Sequence, residues 1–351
     1  MYGTSQLKAF QSLSRHPYPA PIFKLLVPVA LSYTEPMTNP LRVLFLGSGD
    51  LACPALERIL AVPFCRVVTV VSQPDRPKGR HRRRQACPAK ALAEERGVPI
   101  LTPERIGAPD VVATLAAVAS DIIVVAAYGQ YIPRSLLAVP PLGAINIHPS
   151  LLPKYRGASP IQWAVANGDD VTGVTILYVS ETMDAGDIIL QRAVPIVPAD
   201  NTLTLTPYLA GLGADLLIEA LDAVRRGMAP RIPQDDQQAI TVHKLKKADG
   251  CIDWSWPAET IHNRIRGFLP WPGCYTSWGG GALKIWSSHL QAGSVPASVP
   301  GQVVQCSPRG PVIATGQGGI CLTEVQPEGG TRMAAAAFLC GHPLKPGDVL
   351  G

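Results

Sequence analysis

Apolar and polar residues alternate strictly over Ile145-Asn146-Ile147-His148, immediately before Pro149. A period of two reads as a strand, which turns Asn146 and His148 to one face with their Cα atoms roughly 6.5–7 Å apart. Pro149 has no N–H to give a ladder, so the strand stops there. Upstream, the apolar runs Leu41–Leu46 and Val67–Ser72 flank a helical pattern over Leu51–Leu60. Together they form the opening β-α-β of a doubly wound sheet. Helical patterns follow at Pro88–Arg96 and Pro109–Val118, with a short strand at Ile100–Leu101 between them. Ile122–Ala127 is a near-continuous apolar strand, as a parallel sheet covered on both faces requires. Val174–Val179 alternates again, and Leu209–Arg226 reads as a helix packing back on the sheet.

The pattern then changes. Pro230–Gln238 is polar and Pro-bearing, hence a linker. Beyond it lie short strand-like runs at Ile252–Trp254, Cys274–Trp278, Leu283–Trp286, Gly301–Val304, Val312–Ala314 and Ile320–Val325, with one helix at Ile261–Phe268. Gly/Pro turns separate them, which predicts a small barrel. The expected organisation is a disordered extension over 1–36, an α/β catalytic domain over 37–229, a linker over 230–245 and a second domain over 246–351. Residues 1–36 hold five prolines, no clear period, and Lys8, Arg15 and Lys24 ahead of the first acid, Glu35. That composition raises a transit peptide, but the prolines argue against an amphipathic presequence helix. Met37 would make a natural beginning.

The 351 residues are 47% hydrophobic and 16% charged, enough for a sizeable core and unlike a disordered chain. The net charge of +5 matters through its placement. Residues 76–84 hold six cations (Arg76, Lys78, Arg80, Arg82, Arg83, Arg84) and His81, with no acid. Prolines and a glycine predict a loop there. Six like charges on one loop repel, whereas a polyanion would neutralise them and release counterions, which points to RNA phosphate. His243–Lys284 adds a modest basic bias. The eight cysteines show no C-x-x-C and no zinc spacing, and read as free, mostly buried thiols of a reducing compartment with no metal. The apolar run Val111–Tyr128 is broken by Ser120-Asp121 and predicts no transmembrane helix. Gly47-Ser48-Gly49 has Ala52 where a dinucleotide fingerprint has its third glycine, and no acid ends the second strand, so a tight strand-to-helix turn is the better reading.

An amide and an imidazole thus emerge where a strand stops, which in open α/β sheets is where ligands bind. The turn Met183-Asp184-Ala185-Gly186-Asp187 offers a carboxylate, with Asp187 competing against Asp184. Asn146-x-His148, Ser150-Leu151-Leu152-Pro153-x-Tyr155-Arg156-Gly157-x-x-Pro160, Thr172-Gly173-Val174-Thr175 and Met183-Asp184-x-Gly186-Asp187 resemble the folate-dependent formyltransferases, and within them the branch acting on methionyl-tRNA. The resemblance spans about residues 41–351. It implies a Rossmann-like catalytic domain with a mostly parallel sheet, followed by an OB-like β-barrel. It also implies transfer of the formyl group of 10-formyltetrahydrofolate to the amino group of initiator methionyl-tRNA, for translation initiation. Asn146, His148 and Asp184 would be catalytic. Ser150, Leu151, Leu152, Pro153, Tyr128 and Gly129 would line the folate site, and the basic loop would meet the tRNA acceptor stem.

In such an acyl transfer Asn146 would give an N–H to the developing oxyanion. His148 would give a second donor or move the proton, and Asp184 would hold the imidazole. Arg156 either positions its loop or meets the substrate. Two departures from the family pattern are Pro149 and the run T-L-T-L-T-P over 202–207. A formyltransferase for a small amine would leave the basic loop and second domain unexplained, and a non-catalytic RNA-binding module would leave the long signature idle. Nothing demands more than a monomer, and the expected compartment is the cytoplasm, or an organelle in a eukaryote.

Overall fold

The computed structural model describes residues 39–351 other than 50, 79–82, 294–295, 297 and 343. The extension expected over 1–36 lies outside the described residues. Strand β1 (Leu41–Gly47) passes through the helix Ala52–Ala61 to β2 (Cys65–Val71). A hairpin of β3 (Arg76–Lys78) and β4 (Arg83–Gln85) precedes the helix Pro88–Glu95, the short β5 (Ile100–Leu101) and the helix Pro109–Ala117. Then come β6 (Ile122–Ala126), β7 (Ala144–His148), β8 (Lys154–Gly157), the helix Pro160–Ala166, β9 (Val171–Tyr178), β10 (Ile188–Pro195) and the helix Thr202–Arg225.

Among the described residues one sheet has the order β10-β9-β7-β6-β1-β2-β5. Its members from β7 to β5 run parallel, and β9 is antiparallel to both β7 and β10. The chain winds outward from β1 through β2 and β5, then resumes on the other side at β6. That reversal opens a crevice at the carboxyl ends of β1 and β6. Ser48 Oγ, 3.3 Å from the Tyr128 carbonyl, ties those two ends together, and the Gln73 side chain reaches the same carbonyl at 3.1 Å.

Two expectations for the first domain need correction. The basic segment is a hairpin rather than a loop: Arg76 faces Gln85 and Lys78 faces Arg83. Period-free polar sequence hides such pairing, because cross-strand hydrogen bonds do not depend on side-chain type. The last helix of this domain begins at Thr202 rather than Leu209. Asn201 accepts from Leu203 N and Thr204 N while Thr204 Oγ1 accepts from Asn201 N, and this reciprocal cap overrides the strand-like alternation of T-L-T-L-T. The polar stretch after the helix, expected as a linker, is laced to the first domain by backbone pairing. Ile232 exchanges both backbone bonds with Ile188, and β11 (Ile240–Val242) pairs in parallel with β8.

The second domain opens with the helix Ala258–Gly267. It continues as β12 (Cys274–Trp278), β13 (Gly281–Leu290), β14 (Val303–Ser307), β15 (Gly310–Ala314), β16 (Gly319–Pro327) and β17 (Met333–Ala334). These form a barrel-like antiparallel sheet in the order β12-β13-β16-β15-β14, with β17 on β16. Ile252–Trp254 forms no strand; Trp254 is buried instead, its Nε1 donating to Thr276 Oγ1 at 3.0 Å. The Trp163 indole joins the domains, donating to the His243 carbonyl at 3.1 Å with its ring edge-on to Phe268. Of the eight cysteines, expected to be mostly buried, only Cys274 and Cys321 are buried, whereas Cys251, Cys306 and Cys340 are exposed. Among the described residues no helix is long and apolar enough to cross a membrane.

Candidate active site

The site grows from the alternation in β7. Ile147 packs under the long helix so closely that a Cβ on Gly213 would sit 2.8 Å from its Cγ2. The helix therefore claims the odd-numbered face, and Asn146 and His148 are turned to the other. Antiparallel pairing of β7 with β9 sets Asn146 beside Leu177 and His148 beside Thr175. The chain leaving β9 then folds back as the acidic turn.

Asp184 meets both side chains. Its Oδ1 lies 3.4 Å from Asn146 Nδ2, and its Oδ2 lies 3.6 Å from His148 Nδ1. The first is a long hydrogen bond, and the second is beyond hydrogen-bond length. Oδ2 also accepts from the Gly157 N–H at 2.9 Å. Asp184 adopts a left-handed backbone with φ +54, which costs a non-glycine residue roughly 1–2 kcal/mol. Asp187, the competing carboxylate, instead faces Arg231 at 3.5 Å.

Consecutive residues of β8 frame the opposite side. His148 Nε2 is 2.9 Å from the Tyr155 carbonyl. A carbonyl only accepts, so Nε2 carries the hydrogen and Nδ1 is the nitrogen presented to Asp184. The His148 side chain is 5% exposed, and Asp184, at 14%, is the more accessible end of the pair. The Arg156 guanidinium spans Gln234 Oε1 at 3.0 Å and Asp236 Oδ1 at 2.7 Å, so its contacts are with protein. The Gln234 amide donates to the carbonyls of Asp184 and Gly186, both at 2.8 Å.

The residues expected to line a folate site divide. Ser150 is fully buried, its Oγ donating to the Lys154 carbonyl at 2.7 Å and its carbonyl accepting from Thr175 Oγ1 at 2.6 Å. Leu152 is buried with Leu177 and Ile188. Leu151 lies against Gly173. The Ser150 and Leu152 side chains brace β7 to β9 and β8, whereas Leu151 and Pro153 are partly exposed. The Tyr128 ring is buried among Ile106, Leu115 and Leu136, so Tyr128 meets the crevice through its carbonyl. Gly129 stands beside Gln73 at the strand ends. Burial of the Tyr128 phenol pushes its pKa up to about 12, so it stays a neutral hydroxyl.

Of the basic residues, Arg76, Lys78, Arg83 and Arg84 lie on the hairpin strands, and Arg80 and Arg82 lie outside the described residues. The base of the hairpin is anchored where Lys90 Nζ donates to both oxygens of Asp75, at 2.8 and 2.9 Å. Among the described residues no group of His, Cys, Asp or Glu is arranged to hold a metal. Sequence reasoning missed the carbonyl of Tyr155, the N–H of Gly157 and the amide of Gln234. The first two sit inside the long signature, which was a usable signal. Gln234 lies in a polar stretch with no period and carried none.

Two family models match the chain: Formyl transferase over residues 41–221, and Formyl transferase, C-terminal domain, over residues 244–343. The methionyl-tRNA formyltransferase of Roseiflexus sp. (strain RS-1) is 46% identical over 312 residues, covering 89% of this chain and 96% of that protein. That of Syntrophus aciditrophicus (strain SB) is 45% identical over 311 residues, covering 89% of this chain and 99% of that one. Among solved structures, the sugar 3N-formyl transferase WlaRD shares the fold at a TM-score of 0.60 and 18% identity, with 80% of this chain and 97% of that one covered. HypX from Aquifex aeolicus in complex with tetrahydrofolic acid does so at 0.56 and 18%, with 86% and 47% covered.

Proposed function

The chain belongs to the formyltransferase family, and from that premise we propose that Asn146, His148 and Asp184 carry out formyl transfer from 10-formyltetrahydrofolate to the free amino group of methionyl-initiator-tRNA. The observation that carries the choice of acceptor is identity of 45–46%, across both domains, with proteins named methionyl-tRNA formyltransferase. A small-amine enzyme would have no use for the basic hairpin.

In the reaction the amine nitrogen attacks the formyl carbon, the carbon's bond to folate nitrogen breaks, and the amine's proton leaves as the folate nitrogen gains one. An amide has two N–H groups. One of Asn146 serves Asp184, and the other meets the formyl oxygen as negative charge develops on it. Asp184 Oδ2 and His148 Nδ1 receive the amine's proton between them, 3.6 Å apart before reaction. The Tyr155 carbonyl keeps the ring from turning while this happens. Arrival of the proton at Nδ1 makes an imidazolium beside a carboxylate, a charge pair that a nearly buried site strengthens. The donor lies along the strand ends, with Gly129, Pro153 and the Tyr128 carbonyl at its pterin side, and the hairpin cations take the acceptor-stem phosphates. We place the reaction in the cytoplasm and assign it to the monomer, because the three side chains come from one chain.

The test is formylation, with 10-formyltetrahydrofolate, of methionyl-tRNA against glycinamide ribonucleotide and an amino sugar. Methionyl-tRNA alone should be formylated. Formylation of only the small amines would overturn the acceptor, and RNA binding without any formylation would overturn catalysis.

A further inference from the structure

We infer that Gln234, from the segment connecting the two domains, is the positioning residue that sets the catalytic reach of Asp184, and that Arg156 sets the orientation of Gln234. The inference rests on the proposed catalytic role of Asp184.

The register brings Gln234 into place. Ile232 and Ile188 exchange backbone bonds as an antiparallel pair, at 2.8 and 3.1 Å. Two residues onward on one strand lies opposite two residues back on the other, so Gln234 faces Gly186. Among residues 231–238 it alone is not exposed. Its amide closes on the acidic turn with bonds of 2.8 Å to the carbonyls of Asp184 and of Gly186. A backbone at φ +54 is not held by its own preference. Two donors clamping carbonyls on either side of Ala185 supply the constraint.

An amide has an acceptor end and a donor end, and turning it over would replace both bonds with repulsion. The guanidinium has only donors, so Arg156 Nε at 3.0 Å demands the oxygen of Gln234 and leaves the NH₂ for the turn. Asp236 balances the nearly buried cation. Arg156 sits between Tyr155, which holds His148, and Gly157, which holds Asp184. One strand therefore fixes the imidazole, the carboxylate and the clamp on the carboxylate's turn.

The experiment compares Q234A, D184N and the double variant in steady-state formylation of methionyl-tRNA, with Q234M as a second variant that keeps side-chain length without donors. Q234A should lower kcat about tenfold or more while KM for methionyl-tRNA stays within twofold, with thermal midpoints checking the fold. In the D184N background the same change should alter kcat less than twofold, because its only route to the reaction is gone. A kcat within twofold of wild type for Q234A or Q234M, or the full tenfold loss persisting in D184N, overturns the inference. A wild-type rate for D184N overturns the catalytic reading of Asp184, and the inference with it, and is read from that single variant alone.

Discussion

The carbonyl of Tyr155 holds His148 Nε2 at 2.9 Å, which commits the other ring nitrogen to Asp184. The relationship separates two tasks that an Asn–His pair at a strand end could share. In the proposed reaction Asn146 would be the donor to the oxyanion, and the His148–Asp184 pair would be the store for the amine's proton.

Removing either task should be costly. Asn146→Ala and His148→Ala should each lower single-turnover formylation by about a hundredfold or more. Asn146 is only partly buried and its loss should hardly move the thermal midpoint, whereas His148 is buried and leaves a carbonyl unpaired, at about 1–3 kcal/mol. Wild-type rates in either variant would remove that residue from the mechanism.

Gly157→Ala should damage both stability and rate. A Cβ there would lie 2.4 Å from the Val242 carbonyl, on a backbone at φ +102 that favours glycine. Forcing β8 from β11 should cost about 1–3 kcal/mol and withdraw the N–H that holds Asp184. Thermal unfolding and kcat measured on one preparation would check this, and an unchanged pair of values would contradict the geometry.

Charge reversal on the hairpin should act on binding rather than chemistry. Arg83→Glu with Arg84→Glu should weaken methionyl-tRNA binding and flatten its dependence on salt, by about one unit of log–log slope for each phosphate no longer neutralised. Affinities measured across a salt series decide it; an unchanged slope would place the RNA elsewhere.

Stability should fall in mild acid through His262. Burial, reinforced by Arg266 and His289, pushes its pKa from 6.5 down to about 4. The unfolded chain gains a proton near 6.5 that the native site refuses until about 4, so this contribution is complete above 6.5 and is lost as pH falls through that window. Denaturant unfolding of the protein and of His262→Asn, between pH 7 and 5, should show a shallower decline in the variant.

The sequence by itself determined the layers and the shared face of Asn146 and His148. Period-two alternation at Ile145–His148 dictates that Asn146 and His148 share a face, because successive strand side chains must oppose each other. The apolar run Ile122–Ala127 is likewise legible as a covered parallel strand, because burial on both faces removes the need for polar positions. What only the tertiary structure decided is how the third group is held. The Tyr155 carbonyl and Gly157 N–H are backbone atoms, identical in every non-proline residue, and reveal nothing until the chain has folded back. Gln234 looks like any polar linker residue until the pairing of Ile232 with Ile188, 44 positions apart in the numbering, lays it on the acidic turn. Hydrophobic periodicity encodes which face is buried; it does not encode which distant backbone a polar side chain will meet, and the reach of Asp184 depends on that meeting.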